Sequence, residues 1–281
     1  IFSFPRLQKF NGLYIDKFTD PLIQEAKLTD SIIFQRPLSG KHYEPRYKND
    51  QIIKSDFIEY TSIFFGILFS PIVLLIYYKS IKKLYNKVTL TFGKTNKFMI
   101  KISTKLGAYI FSFYVYRLLL SKIRPENVIF VNRELNYPLI AASKKKNIKT
   151  FELQHGITLS WTILYSNQYN VKLDPDHFLT FGEFWYGKQF GIPLEKIKNI
   201  GWAYSDWIKS INNKKTFSGN YFLIISQPTI SSNIINAIIR LAVLWPDKYF
   251  HIRLHPQEKV TNELVKKIKT ISNLQIVDNT E

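Results

Sequence analysis

Three short stretches carry side chains able to do chemistry. The first is Glu152-Leu153-Gln154-His155-Gly156. A glycine after a histidine allows a sharp backbone turn that leaves the imidazole exposed. Its free pKa lies near operating pH, so His155 could take a proton from an attacking hydroxyl. Glu152 and Gln154 share one strand face, which makes Glu152 an alternative base or an orienter of His155. A hydrogen-bonded structural histidine is the plainer alternative. The second stretch is Ser226-Gln227-Pro228-Thr229, followed by Ser231-Ser232-Asn233 before an apolar helix. Small polar residues at a helix start are ordinary N-caps. The free N–H groups and positive end of the same helix can also hold a phosphate. The third is His251-Ile252-Arg253-Leu254-His255-Pro256, in which His251, Arg253 and His255 share a strand face. Arg253 and His255 at the strand tip suit a phosphate or pyrophosphate. They do not suit zinc: the two histidines are too widely spaced along a strand and no third ligand lies nearby. Neither a Walker pattern nor GxGxxG occurs, which disfavours P-loop NTPases and dinucleotide-dependent dehydrogenases.

The elements that must position these residues alternate along the chain. Short apolar runs at 127–132, 149–154, 176–181 and 197–200 read as buried strands, with helices at 137–146 and 183–190. Gly156, Gly182, Gly191 and Gly201 close elements. A polar stretch at 209–220 reads as a linker. The pattern then restarts, with strands at 221–226, 249–254 and 274–277 and helices at 232–245 and 260–271. This predicts an α/β fold of two Rossmann-like domains, 1–208 and 221–281, with ligands beyond the carboxyl ends of the strands. Residues 1–56 give no clear element, and 57–120 read as mostly helical. The second domain is expected to be incomplete, having only three strands. The sole methionine is Met99 and the chain begins at Ile1, so its natural start is expected to be missing too.

The 281 residues include 46% hydrophobic and 21% charged side chains, a globular composition. No cysteine is present, which excludes disulfides, thiolate metal sites and a cysteine nucleophile. The net charge of +18 is uneven. Residues 51–150 hold 17 Lys/Arg against 4 Asp/Glu, and no acidic residue lies between Tyr60 and Pro125. The lysines follow an apolar run at 63–78 that is interrupted by Gly66, Ser70 and Pro71. At 16 residues with a central proline, that run is short for a spanning helix. A basic face beside an apolar one fits an anionic membrane surface. A buried core helix beside a solvated lysine face is the alternative. Nucleic acid is disfavoured, because no helix-turn-helix, RNP, KH or zinc pattern accompanies the charge.

Together these pieces resemble a two-domain GT-B glycosyltransferase of the bacterial surface-polysaccharide type, over about residues 117–281. The stretch "IRLHPQE" resembles the His-Pro motif of GT-B enzymes with cytidine donors: sialyltransferases, Kdo transferases and teichoic-acid polyol-phosphate transferases. Ser226-Gln227-Pro228 is similar to the Gln-Pro motif of capsule Kdo transferases. Gln154-His155-Gly156 is similar to the His-Gly turn of the polyol-phosphate polymerases. The resemblance implies a metal-independent, cofactor-free transferase for capsule or lipopolysaccharide precursors. Its donor would be a CMP- or CDP-linked sugar, and its acceptor a lipid-linked or membrane-bound glycan. His155 would be the base; Gln227 and Thr229, with Ser231 and Ser232, would border the nucleotide. Arg253 and His255 would meet the donor phosphate, with Pro256 fixing the turn, and Gly201 would mark the domain crossover. The enzyme would be cytoplasmic and peripherally bound to the inner membrane. A CDP-polyol phosphotransferase and a noncatalytic basic module binding membrane or nucleic acid are the alternatives.

Overall fold

The computed structural model describes the chain apart from residues 4–6, 29, 39, 48–51, 157–164, 166–167, 186–190, 212–219, 256–257, 259–260 and 278–281. Two compact units result, Ile1–Asn212 and Asn213–Glu281. The division falls inside the polar stretch 209–220.

The first unit is built on a seven-stranded sheet. Its strands are β1 (Phe2–Ser3), β4 (Ile33–Gln35), β5 (Ile52–Lys54), β6 (Asn127–Val131), β7 (Lys149–Leu153), β8 (His177–Thr180) and β9 (Ile197–Asn199). All neighbouring pairs are parallel. The order is β5-β4-β1-β6-β7-β8-β9. Counted along the chain, that is 3-2-1-4-5-6-7, a doubly wound sheet whose direction reverses between β1 and β6. The stretch 1–56, silent in the sequence, therefore supplies three of the seven strands. They are two or three residues long, too short to show a period of two. A hairpin of β2 (Leu7–Phe10) and β3 (Leu13–Asp16) also lies there. Its turn, Asn11-Gly12, has positive φ at both residues, the geometry that favours this dipeptide in tight hairpins. Helix α1 (Thr19–Glu25) follows.

Two long helices interrupt the sheet, α2 (Asp56–Phe92) and α3 (Phe98–Ile123). Their near ends belong to the core. Ile58, Tyr116 and Leu120 pack with Phe2, Phe34 and Phe130, and with Leu139 and Ile140 of α4 (Tyr137–Lys145). Of the helix expected at 183–190, the described residues Glu183–Trp185 form a 3-10 turn, and residues 186–190 lie outside the described ones. The unit ends in α5 (Ala203–Ile211), whose Tyr204 and Trp207 pack on Ile15.

The second unit has a parallel three-stranded sheet, β10 (Tyr221–Ile225), β11 (Tyr249–Arg253) and β12 (Leu274–Val277), in that order. It carries α6 (Ser231–Leu244) and α7 (Asn262–Lys269). Ile235, Ile238 and Ala242 of α6 pack on Phe250, Ile252 and Leu274. The alternation in β11 buries Phe250 and Ile252 and leaves His251 and Arg253 on the other face.

Candidate functional site

In the first unit, the carboxyl end of β7 carries Gln154, His155 and Gly156. Gln154 is fully buried and ties this turn to the next strand. Its backbone N–H donates to Leu179 O at 2.9 Å. Its side-chain amide donates to Gly156 O at 2.9 Å and accepts from Phe181 N at 2.9 Å. The turn that presents half-buried His155 is thus fixed from both sides. Gly156 faces open space.

Glu152 points the other way in function, if not in sequence. Its side chain is completely buried. One carboxylate oxygen accepts from Arg133 N at 3.0 Å and from the Tyr165 hydroxyl at 2.7 Å; the other accepts from Arg133 Nε at 2.6 Å. Arg133 also meets Asp174 at 2.9 Å and stacks its guanidinium over Tyr165 at 4.4 Å. Burial alone would lower the Arg133 pKa, but Glu152, Tyr165 and Asp174 outweigh it and hold it up. Burial, with Glu152 next, pushes the Tyr165 phenol far above its ordinary value, so it stays a donor. A carboxylate so enclosed is a structural counter-ion. That corrects the reading of Glu152 as a base or as an orienter of His155: its hydrogen bonds orient Arg133 instead.

The reversal point between β1 and β6 lies one strand away from His155, and the sequence did not reveal it. Ser3 ends β1, is buried, and donates to Asp16 Oδ2 at 2.6 Å. Asp16 N donates to Asp20 Oδ2 at 2.8 Å, and Arg46 Nη2 reaches both Asp20 oxygens at 3.0 Å. Arg46 also donates to Gln35 at the end of β4. Burial pushes the Asp20 carboxyl up to about 6, against the opposing pull of Arg46. Beside this network, Gln35, Tyr43, Arg46 and Lys54 line a cavity of ≈ 550 Å³. Across the reversal, Asn132 adopts a positive φ after β6 and its side chain accepts from Glu134 N at 3.1 Å. Gly201 follows β9 with φ +72, a backbone that favours glycine, and precedes α5.

In the second unit, four of the expected residues gather at the carboxyl ends of β10 and β11. Buried Ser226 bonds to the neighbouring strand through its N–H, which donates to Arg253 O at 2.9 Å. Its hydroxyl donates to Glu258 Oε1 at 2.8 Å and lies 3.3 Å from the Ser231 hydroxyl. The His255 N–H donates to Glu258 Oε2 at 2.6 Å. Burial would raise the Glu258 pKa, but bonds from Ser231, His255 N–H and Ser226 outweigh it and lower it. Glu258 is therefore an ionised carboxylate held by hydroxyl and backbone donors. It was quoted in the His-Pro stretch but not singled out; only the fold brings it to Ser226. Gln227, Thr229 and Ser232 are exposed at this edge, and Arg253 is half-buried. The N-cap reading of the serines does not hold. The N-cap of α6 is Ile230, and no side chain caps it. Pro256 lies outside the described residues. His251 stacks on Tyr221 and pairs with Gln275 at 2.7 Å, which occupies it away from the strand tip. Among the described residues no group of three or more His, Asp or Glu could hold a metal ion.

No protein-family model matches the chain, and no curated protein matches it. Several solved structures are similar to it. UDP-GlcNAc 2-epimerase from Neisseria meningitidis, bound to UDP-GlcNAc, is 13% identical, with 63% of this chain and 55% of that chain covered and a TM-score of 0.41. UDP-GlcNAc 2-epimerase from Methanocaldococcus jannaschii is 14% identical, covering 92% of this chain and 68% of that one, at a TM-score of 0.45. MurG from Acinetobacter baumannii is 8% identical, covering 62% and 46%, at a TM-score of 0.36. The chain spans about half the length of the first structures it matches. By its own two parallel sheets, the chain is an α/β protein with two Rossmann-like units.

Proposed function

We propose that the chain is a glycosyltransferase of GT-B type, moving a sugar from a nucleotide donor to a lipid-linked or membrane-bound glycan. One observation carries this reading. At the carboxyl edge of the second unit, the Ser226 hydroxyl, the Ser231 hydroxyl and the His255 N–H converge on a single anion, the Glu258 carboxylate. Neutral donors aimed at one point can hold a donor phosphate as they hold that carboxylate. Gln227 and Thr229, exposed beside them, border the nucleotide, and Arg253 and His255 meet its phosphates. Cytidine donors, CMP- or CDP-linked, fit the His-Pro and Gln-Pro patterns.

In the first unit, His155 sits on a turn fixed by Gln154 and is the base. Its imidazole takes the acceptor hydroxyl proton as that oxygen attacks the anomeric carbon. The bond from that carbon to the donor phosphate breaks, and the nucleotide leaves with the electron pair. The product serves capsule or lipopolysaccharide assembly at the cytoplasmic face of the inner membrane.

The test is release of CMP or CDP from candidate cytidine sugars in the presence of a lipid-linked glycan acceptor. His155→Ala is expected to slow transfer by about 10²–10⁴-fold, the usual worth of a positioned base. His255→Ala is expected to weaken donor binding. Wild-type rates in both variants would sink the transferase reading.

A further inference from the structure

The helical hairpin of the first unit leaves more apolar surface in solvent than a soluble helix pair needs. Along α2, Phe64, Ile67, Leu68, Ile72, Leu75 and Ile76 are all more than half exposed, and Leu75 reaches 80%. Exposed Tyr60 lies at one end of this belt, and Tyr77 and Tyr78 lie at the other. Aromatic rings of this kind sit at membrane–water boundaries. The α2–α3 contact, by contrast, brings small residues together at close approach, beside a stacked Phe65–Phe111 pair at 4.3 Å. A Cβ on Gly66 would come within 2.7 Å of Thr104 O, and one on Gly107 within 3.1 Å of Gly66 O. The Ser112 hydroxyl donates to that of Ser62 at 2.7 Å. Close backbone approach and a serine pair let two helices hold together where water supplies no hydrophobic drive. The large side chains of the belt lie outside this contact, in solvent.

Charge is segregated along the same hairpin. Beyond Tyr78, where α2 departs from helical geometry at Tyr77, the distal part carries Lys79, Lys82, Lys83, Lys87, Lys94, Lys97, Lys101 and Lys105. No acidic residue occurs between Tyr60 and Pro125. A second copy packed through the same hairpin would bring the same cations and no acid between Tyr60 and Pro125 to meet them. Anionic lipid phosphates meet them directly.

We propose that the α2/α3 hairpin is a membrane-interface anchor. Its apolar belt sinks into one leaflet of an anionic bilayer, and its lysine-bearing distal part lies on the phosphates of that same leaflet. By length and composition α2 could cross a membrane. Its partner could not. Residues 106–116 of α3, between Lys105 and Arg117, are its longest uncharged run. They measure about 16 Å, roughly half of a hydrocarbon core of about 30 Å. Crossing would also carry eight lysines to the far side, against the charge preference of membrane proteins. The anchor does not depend on the transferase reading and stands if that reading falls.

The chain lacks cysteine, so an introduced one is unique. Leu75→Cys and Lys94→Cys, both at exposed positions, are each labelled with an environment-sensitive dye and mixed with phosphatidylcholine vesicles with or without phosphatidylglycerol. The Leu75 dye is expected to shift to the blue and be quenched from the lipid phase on the anionic vesicles. Unlabelled Lys94→Cys is expected to remain reactive to an impermeant thiol reagent added outside. Lys94→Gln with Lys97→Gln is expected to weaken partitioning by about tenfold or more on anionic vesicles. An unshifted Leu75 dye on anionic vesicles overturns the anchor. So does a blue shift without lipid in a species of doubled mass, which assigns the belt to a second copy. Protection of Lys94→Cys inside sealed vesicles overturns the one-leaflet placement. Transfer assays on His155→Ala leave all of these readouts untouched.

Discussion

Two carboxylates sit at the carboxyl edges of the two sheets, and they are held in opposite ways. Glu152 in the first unit is sealed against a buried guanidinium and a phenol. Glu258 in the second is held chiefly by two hydroxyls and a backbone N–H, with the His255 side chain adding a smaller electrostatic pull. A carboxylate paired to a buried cation is part of the fold, because removing either partner strands a charge in a low-dielectric interior. One held by neutral donors occupies a place that another anion can take. Strand-end polarity therefore has two meanings here: a locked charge network in one unit, and an anion seat in the other.

The contrast is broken most forcefully at Glu152. Glu152→Ala is expected to destabilise the first unit by about 3–5 kcal/mol in chemical denaturation, since Arg133 loses its main counter-ion. A loss as small as that of a surface substitution would place Glu152 among the replaceable carboxylates. The Asp20 network tests the same idea through pH. Its folded pKa, about 6, lies above the ordinary 3.8. Below 3.8 the contribution of Asp20 to stability is fully present, and it is lost as pH rises through 6. Between those values stability is expected to fall by up to about 3 kcal/mol. Asp20→Asn should flatten that part of the stability–pH curve, and an unchanged slope would refute the assignment.

A smaller effect is expected at Gln154. Gln154→Ala leaves the Phe181 N–H without its acceptor and frees the turn of His155, costing about 1–3 kcal/mol. If Gln154 positions the base, kcat for transfer falls further than stability does and KM for donor stays put. The finest test is at the anion seat. Glu258→Gln keeps the shape and removes a like charge, so CDP is expected to bind more tightly by about 1 kcal/mol, roughly fivefold, in calorimetry. Weaker binding would make Glu258 a support for the His255 turn instead.

From Asn127 onward the alternation of strand and helix is plain in the sequence. Buried parallel strands read as short apolar runs such as the one in β6, and glycines close the turns. The N-terminal strands were not legible, because two or three residues cannot display a period. Their hairpin did carry one signal, Asn11-Gly12, in the chain's most obscure stretch. The reversal point between β1 and β6 was lost with them. The long helices were visible as apolar and basic runs, but which side chains faced outward was not. That outcome depends on Gly66 and Gly107, whose missing Cβ atoms let the helices close on small residues.

The sequence by itself determined the α/β class, the two-part organisation around 209–220, and the polar strand ends that hold His155, Ser226 and His255. Those depend on local periodicity and turn chemistry, which neighbouring residues decide. Only the tertiary structure decided the jobs of the carboxylates. Glu152 and Arg133 are 19 residues apart, and Ser226 and Glu258 are 32. Whether a carboxylate meets a buried cation or a ring of neutral donors is settled by which strands become neighbours, and no local pattern records that.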